Sequence, residues 1–125
     1  GMKLSLTAGA NLIDNATDAD QVFFAYDTGN QFTASAANWV AVIRIGGVSA
    51  NVDTGIVVAI NTNYRLCLDI DSNRIARFYI NGALVATSAA LTAAVSLLPF
   101  AGTQALAGAV VSFTVQRMAI SKALV

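Results

Sequence analysis

The amino-acid sequence predicts an all-β fold, an antiparallel β-sandwich. Three observations predict it. Apolar residues recur with a period of two rather than 3.6. Clusters of Asn, Asp and Gly separate the alternating segments. One Asn-Gly pair stands between two such segments at the spacing of a tight hairpin. At 125 residues the chain fits one domain. Residues 2–125 are read as that domain, and Gly1, ahead of Met2, as a scar of tag removal.

The elements follow in order. Leu4 and Leu6 mark a first candidate strand, and residues 22–26 a second, closed by Asp27, Thr28, Gly29 and Asn30. Trp39, Ala41, Ile43 and Ile45 share a face in a third, which ends at Gly46-Gly47. Residues 56–60 are wholly aliphatic, which predicts a short strand buried on both sides. Tyr64, Leu66, Leu68 and Ile70 then alternate with Arg65, Cys67, Asp69 and Asp71, and Asp71-Ser72-Asn73 supplies turn chemistry. Ala76, Phe78 and Ile80 form the inward face of the next strand, with Arg77 and Tyr79 outward. Asn81-Gly82 tolerates positive φ at both central positions of a type I′ turn, and residues 83–87 return.

Residues 88–98 are rich in Ala and Leu, but Thr92, Val95 and Ser96 are poor helix formers and Pro99 stops the segment. The expectation is an irregular crossing with a short strand over residues 95–98. Val111, Phe113 and Val115 alternate again, while Met118 and Ile120 fall on the opposite parity. A bulge near Gln116-Arg117 would return them to the core.

Composition narrows the chemistry. Hydrophobic residues make up 56% and charged residues 11%, and seven Lys+Arg balance seven acids. A neutral chain has no surplus of cations to displace counterions from phosphates, so nucleic acid is not an expected partner. All seven acids are Asp; the chain has no Glu, no His and the single Cys67. An internal disulfide is impossible, a Cys/His zinc site is not expected, and Ser-His-Asp or Cys-His catalysis cannot be assembled. The aliphatic run at residues 56–60 is far shorter than the roughly 20 residues needed to cross a bilayer. The first residues alternate at once and lack the apolar stretch of a signal peptide. No enzyme activity, cofactor or membrane partner is expected, and Cys67 is compatible with a reducing compartment.

Residues 14–20 form the one dense acidic cluster. Asp14, Asp18 and Asp20 offer the oxygen ligands that calcium favours, but their spacing does not match an EF-hand loop. The reading adopted is a solvated loop of Asx turns, with no metal. Tyr26, Trp39, Tyr64 and Tyr79 have the ring chemistry of a sugar-stacking platform. Trp39, on the parity of Ile43 and Ile45, is instead assigned to the core. Gly46-Gly47 is read as a turn or bulge, since no Lys-Ser/Thr follows as in a phosphate loop.

The run from Tyr64 to Asp71, followed by Arg77-Phe78-Tyr79-Ile80-Asn81-Gly82, resembles the central meander of concanavalin A-like (laminin G-like) jelly rolls. Asp53-Thr54-Gly55, Leu97-Leu98-Pro99-Phe100 and Ile120-Ser121-Lys122 are similar to segments of lectin-like domains in bacteriophage and prophage structural proteins. The likeness runs from about residue 53 to 122. It implies a lectin-like jelly roll acting as a non-enzymatic structural or adhesive module of a particle, located in the virion or in the bacterial cytoplasm during assembly. The alternative is a module that binds a cell-surface glycan. Two departures stand out. Glucanases of this fold carry two Glu on one strand, which this chain lacks; its nearest substitute is the pair Asp69 and Asp71, better read as a solvated strand end. Such jelly rolls are also often longer, which implies missing N-terminal strands. A neutral surface and 24 Ala further predict a homo-oligomer, alongside other particle proteins or a glycan as partners.

Overall fold

The computed structural model describes residues 1–3, 19–28, 32, 37–92, 96–102 and 114–121. Nine strands and no helix lie among them: β1 (Met2–Lys3), β2 (Gln21–Tyr26), β3 (Asn38–Ile45), β4 (Val48–Ser49), β5 (Val52–Val57), β6 (Leu66–Ile70), β7 (Ile75–Ile80), β8 (Ala83–Ala90) and β9 (Leu98–Pro99). They form two antiparallel sheets. The first has the order β4-β3-β2-β1-β9, with β5 also paired to β3; the second is the meander β6-β7-β8. The expected all-β sandwich is what the chain forms. No helix long and apolar enough to cross a membrane occurs among the described residues.

The core lies between the sheets. Val22, Ala41 and Ile43 face Ala76, Phe78 and Ala86, with Leu91 closing the layer. The Phe24 and Phe78 rings meet edge to face at 5.2 Å. A second apolar cluster covers the other face of the first sheet, where Phe23, Phe32, Val40 and Val42 pack with Phe100. Phe23 meets the rings of Phe32 and Phe100 at 5.7 and 5.4 Å. This double burial explains why residues 22–24 and 40–43 are continuous apolar runs rather than alternating ones.

Several expectations change. Residues 56–60 are not a doubly buried strand: β5 ends at Val57, and Ile60 is 92% exposed. β5 instead alternates between half-buried and exposed, with Val52, Thr54 and Ile56 on the half-buried face. The return strand of the meander, β8, extends to Ala90, so the irregular crossing begins later than Ser88. The short strand expected over 95–98 is Leu98–Pro99, and Val95 lies outside the described residues. Residues 114–121 form no strand, and Val115, Met118 and Ile120 are exposed rather than returned to the core. The Leu4–Leu6 strand and residues 111–113 also lie outside the described residues.

Both expected turns form. Asn81 and Gly82 have φ of 53° and 88°, and Ile80 pairs with Ala83 across them. Gly46 and Gly47 repeat the device at 55° and 84° between Ile45 and Val48. At the third turn, the Asp71 carboxylate accepts the Asn73 and Ile75 N–H groups at 2.9 and 3.0 Å. Arg74 there takes φ of 63°, which an L-residue adopts at some cost. Its Nε donates to the Leu91 carbonyl, and its own carbonyl accepts the Leu91 N–H, both at 2.9 Å. Arg74 thus clamps the chain beyond β8.

Asp20 joins the sheets. Its carboxylate is fully buried and accepts the Gly46 N–H (2.7 Å), the Thr92 N–H (2.6 Å) and the Thr92 hydroxyl (2.9 Å). Gly46 belongs to the β3–β4 turn, whereas Thr92 follows β8 of the other sheet. Replacing Asp20 by Ala removes three hydrogen bonds to its buried carboxylate, whose donors sit on the exposed residues Gly46 and Thr92, and we expect a loss of about 1–3 kcal/mol in denaturant unfolding. Gly82→Val should cost about 1–3 kcal/mol, a purely conformational penalty because nothing lies within 4 Å of an added Cβ. Thermal or urea unfolding reads both.

Candidate functional site

The end of the sandwich where β2 finishes and β3 begins gathers aromatic rings. Tyr26 pairs with Trp39 across the two strands. Their rings lie 6.3 Å apart, and that of Tyr64, from the segment leading into β6, sits 5.7 Å from Trp39. Two rings of the first sheet and one from the segment leading into the second therefore meet. Tyr26 is 47% exposed, while Trp39 and Tyr64 are half-buried. Trp39 is thus a rim residue rather than a core one: it shares the inward parity of Ala41 and Ile43 but lies near the start of β3, where the facing sheet no longer covers it fully. Its indole N–H is buried and meets no hydrogen-bond partner among the described residues.

The cluster is held from below. The Tyr64 hydroxyl accepts the Ala59 N–H and donates to the Val57 carbonyl, both at 2.9 Å. These bonds tie the ring to the end of β5. Thr54 donates its hydroxyl to the Trp39 carbonyl at 2.7 Å and accepts the Ile56 N–H. The register of β3 against β5 breaks here, and the threonine side chain supplies the carbonyl with the partner that the ladder does not. On the neighbouring parity, Asn38 donates its amide to Asp53 at 2.9 Å, and Asp53 also accepts the Gly55 N–H. Gly55 takes φ of 70° to close that loop. Short polar side chains thus surround the base of the ring cluster.

Three of the four rings considered for a stacking platform come together, although sequence parity assigns Trp39 to the core. Tyr79 does not join them; it lies in the middle of β7, paired with Cys67 and Leu84 on the face away from Phe78. The acidic cluster fares differently. Asp14 and Asp18 lie outside the described residues, and Asp20 is no solvated loop residue but the buried link between sheets. No group of three or more Cys, His, Asp or Glu gathers among the described residues. The hydrogen-bonding roles of Asn38, Asp53 and Thr54 were not anticipated. The signal available was a short polar residue interrupting an apolar alternation.

Asp69 and Asp71 remain beside one another at the end of β6, with different surroundings. Asp71 pairs with Arg77 at 2.8 Å. The Ile75 N–H bond is the largest influence on its carboxyl; desolvation opposes it, and the Arg77 hydrogen bond, the Asn73 N–H and the Arg77 charge together leave the carboxyl below the ordinary aspartate value. A carboxyl so held is a poor proton donor near neutrality. Comparison with family models, curated proteins and solved structures gives no match.

A depressed folded-state pKa makes ionised Asp71 stabilising above the unfolded value and without effect once pH falls through the folded one. Asp71→Asn should therefore lower the melting temperature at pH 7. The gap between variant and parent should close as pH falls below about 4. Melting curves across that range check the prediction.

Proposed function

We propose that this chain is a non-enzymatic adhesive module, a lectin-like jelly roll of a phage or prophage particle, that meets its target at the ring-bearing end of the sandwich. The observation that carries this reading is the convergence of Tyr26, Trp39 and Tyr64, with Tyr26 open to solvent. Aromatic faces offer a large apolar area with little conformational entropy to lose, which suits them to contact surfaces. The ligand class that this chemistry supports is a cell-surface glycan, whose sugar C–H faces stack on rings while hydroxyls bond to amides and carboxylates nearby. The particle setting rests on the resemblance of residues 53–122 to phage structural domains. The absence of enzymatic function is supported by a chain without Glu or His and by the engaged state of Asp71.

The test is binding of purified cell-surface polysaccharides, read by the fluorescence of Trp39, the single tryptophan. Tyr26→Ala should weaken binding about tenfold or more, the loss of roughly 1.4 kcal/mol of contact. Its melting temperature should move little, because the ring is half open. Binding that ignores the substitution, or none across a broad panel, overturns the reading. Turnover of a glucan that Asp69→Asn or Asp71→Asn abolishes would replace it with a glycosidase.

A further inference from the structure

The edges of the two sheets are not alike. β9 is two residues long and contains Pro99, which lacks an N–H to offer. β4 is equally short, and β5 breaks register against β3. β8 breaks register twice against β7. Bulges, brevity and proline are the ordinary means of keeping an edge from pairing. β6 has none of them. It runs five residues in unbroken register with β7, and β7 is its only partner among the described residues.

The pairing tells which of its backbone groups face outward. Arg65 accepts the Asn81 N–H and donates to the Asn81 side chain, and Asp71 donates to Ile75. Residues 65 and 71 therefore turn their N–H and C=O toward β7, as do Cys67 and Asp69 by alternation. Leu66, Leu68 and Ile70 then turn theirs away from it.

We infer that β6 pairs antiparallel with β6 of a second copy, about a two-fold axis at Leu68. In that register Leu68 faces its own counterpart and Leu66 faces Ile70 of the second copy, so all three outward residues bond in full. Six backbone hydrogen bonds result, more than in any neighbouring register. Shifting the axis to Cys67 or Asp69 leaves one outward residue unmatched, and at Asp69 it also sets two carboxylates opposite each other. At Leu68, Asp69 faces Cys67 of the other copy, so no like charges meet. The side chains agree. Leu66, Leu68 and Ile70 share the inward face, and the 38% exposure of Leu66 would be reduced against the second copy. The two three-stranded sheets become one of six strands. Because the other edges are short, bulged or proline-bearing, assembly closes at two copies instead of growing into a filament.

The experiment is light scattering coupled to size exclusion, under reducing conditions, over a tenfold range of micromolar concentrations. The expected species has twice the 12.9 kDa chain mass. Leu66→Pro removes one outward N–H from each copy at a position where an edge strand tolerates proline. It should weaken the dimer about tenfold or more with the circular dichroism spectrum unchanged. In a separate variant, Asp69→Cys, mild oxidation should give a covalent dimer. Opposed residues in a non-hydrogen-bonded pair lie about 4.5 Å apart at Cα, within disulfide reach. Peptide mapping should join Cys67 of one copy to the substituted position of the other. A monomer throughout, or a dimer that neither variant affects as described, overturns the inference; a Cys67-to-Cys67 bridge as the main product overturns the register.

Discussion

The two sheets are joined by a carboxylate that water does not reach. Asp20 carries its charge into the interior, where isolation would be costly, and three donors from two different sheets compensate it. This arrangement sets geometry as well as energy. The β3–β4 turn must present the Gly46 N–H toward β2, and the chain leaving β8 must bring both donors of Thr92 to the same oxygens. Only one relative placement of the sheets satisfies these conditions. The apolar layer around Phe78 fills the space so defined, but apolar contact alone tolerates sliding, whereas a buried carboxylate does not.

The same logic operates on a smaller scale wherever the ladders break. Asn51 accepts the Ile43 N–H at the interruption between β4 and β5 and donates to the Phe32 carbonyl. Thr54 serves the Trp39 carbonyl at the next break. Ser88 accepts the Ala76 N–H at the bulge of β8 and donates its hydroxyl to the Ala89 carbonyl. In each case a short side chain replaces a backbone partner that the extra residue has displaced. The bulges thereby cost little inside the fold, yet they leave edges that a second chain cannot follow. At these three places among the described residues, a side chain repairs the irregularity.

This explains what could be read in the sequence. The meander from β6 to β8 was legible because each strand buries one face, so parity and burial coincide, and because Asn81-Gly82 allows few alternatives. β2 and β3 were legible as strands but not as the middle of a two-sided layer, since a continuous apolar run does not say what covers its second face. β5 was misplaced because a break repaired by Thr54 and Gly55 resembles a turn when only residue types are seen. At the ring cluster, the identity of the residues was visible, but parity alone assigned Trp39 to the core. Its half-exposure follows from its place near the end of β3, where parity still points inward and the facing sheet has run out.

On the proposed function, a chain with so few charges and no imidazole would recognise its target by shape, rings and neutral hydrogen bonds, and such recognition depends on rigidity. The ring-bearing end meets that requirement in a specific way. Tyr64 is fixed through its hydroxyl to one backbone N–H and one backbone carbonyl at the end of β5, and Trp39 is wedged between Tyr64 and Tyr26. On that reading, Trp39 and Tyr64 would have little side-chain entropy left to lose on ligand binding, so weak stacking contacts would not be cancelled by ordering. Pairing two copies at β6 would add a second benefit without any new contact to the ligand. Both copies would then carry a ring-bearing end on one rigid, six-stranded sheet. On a surface with repeated epitopes, the second site would bind at the effective concentration set by that rigid spacing, and modest single-site affinity would become durable attachment.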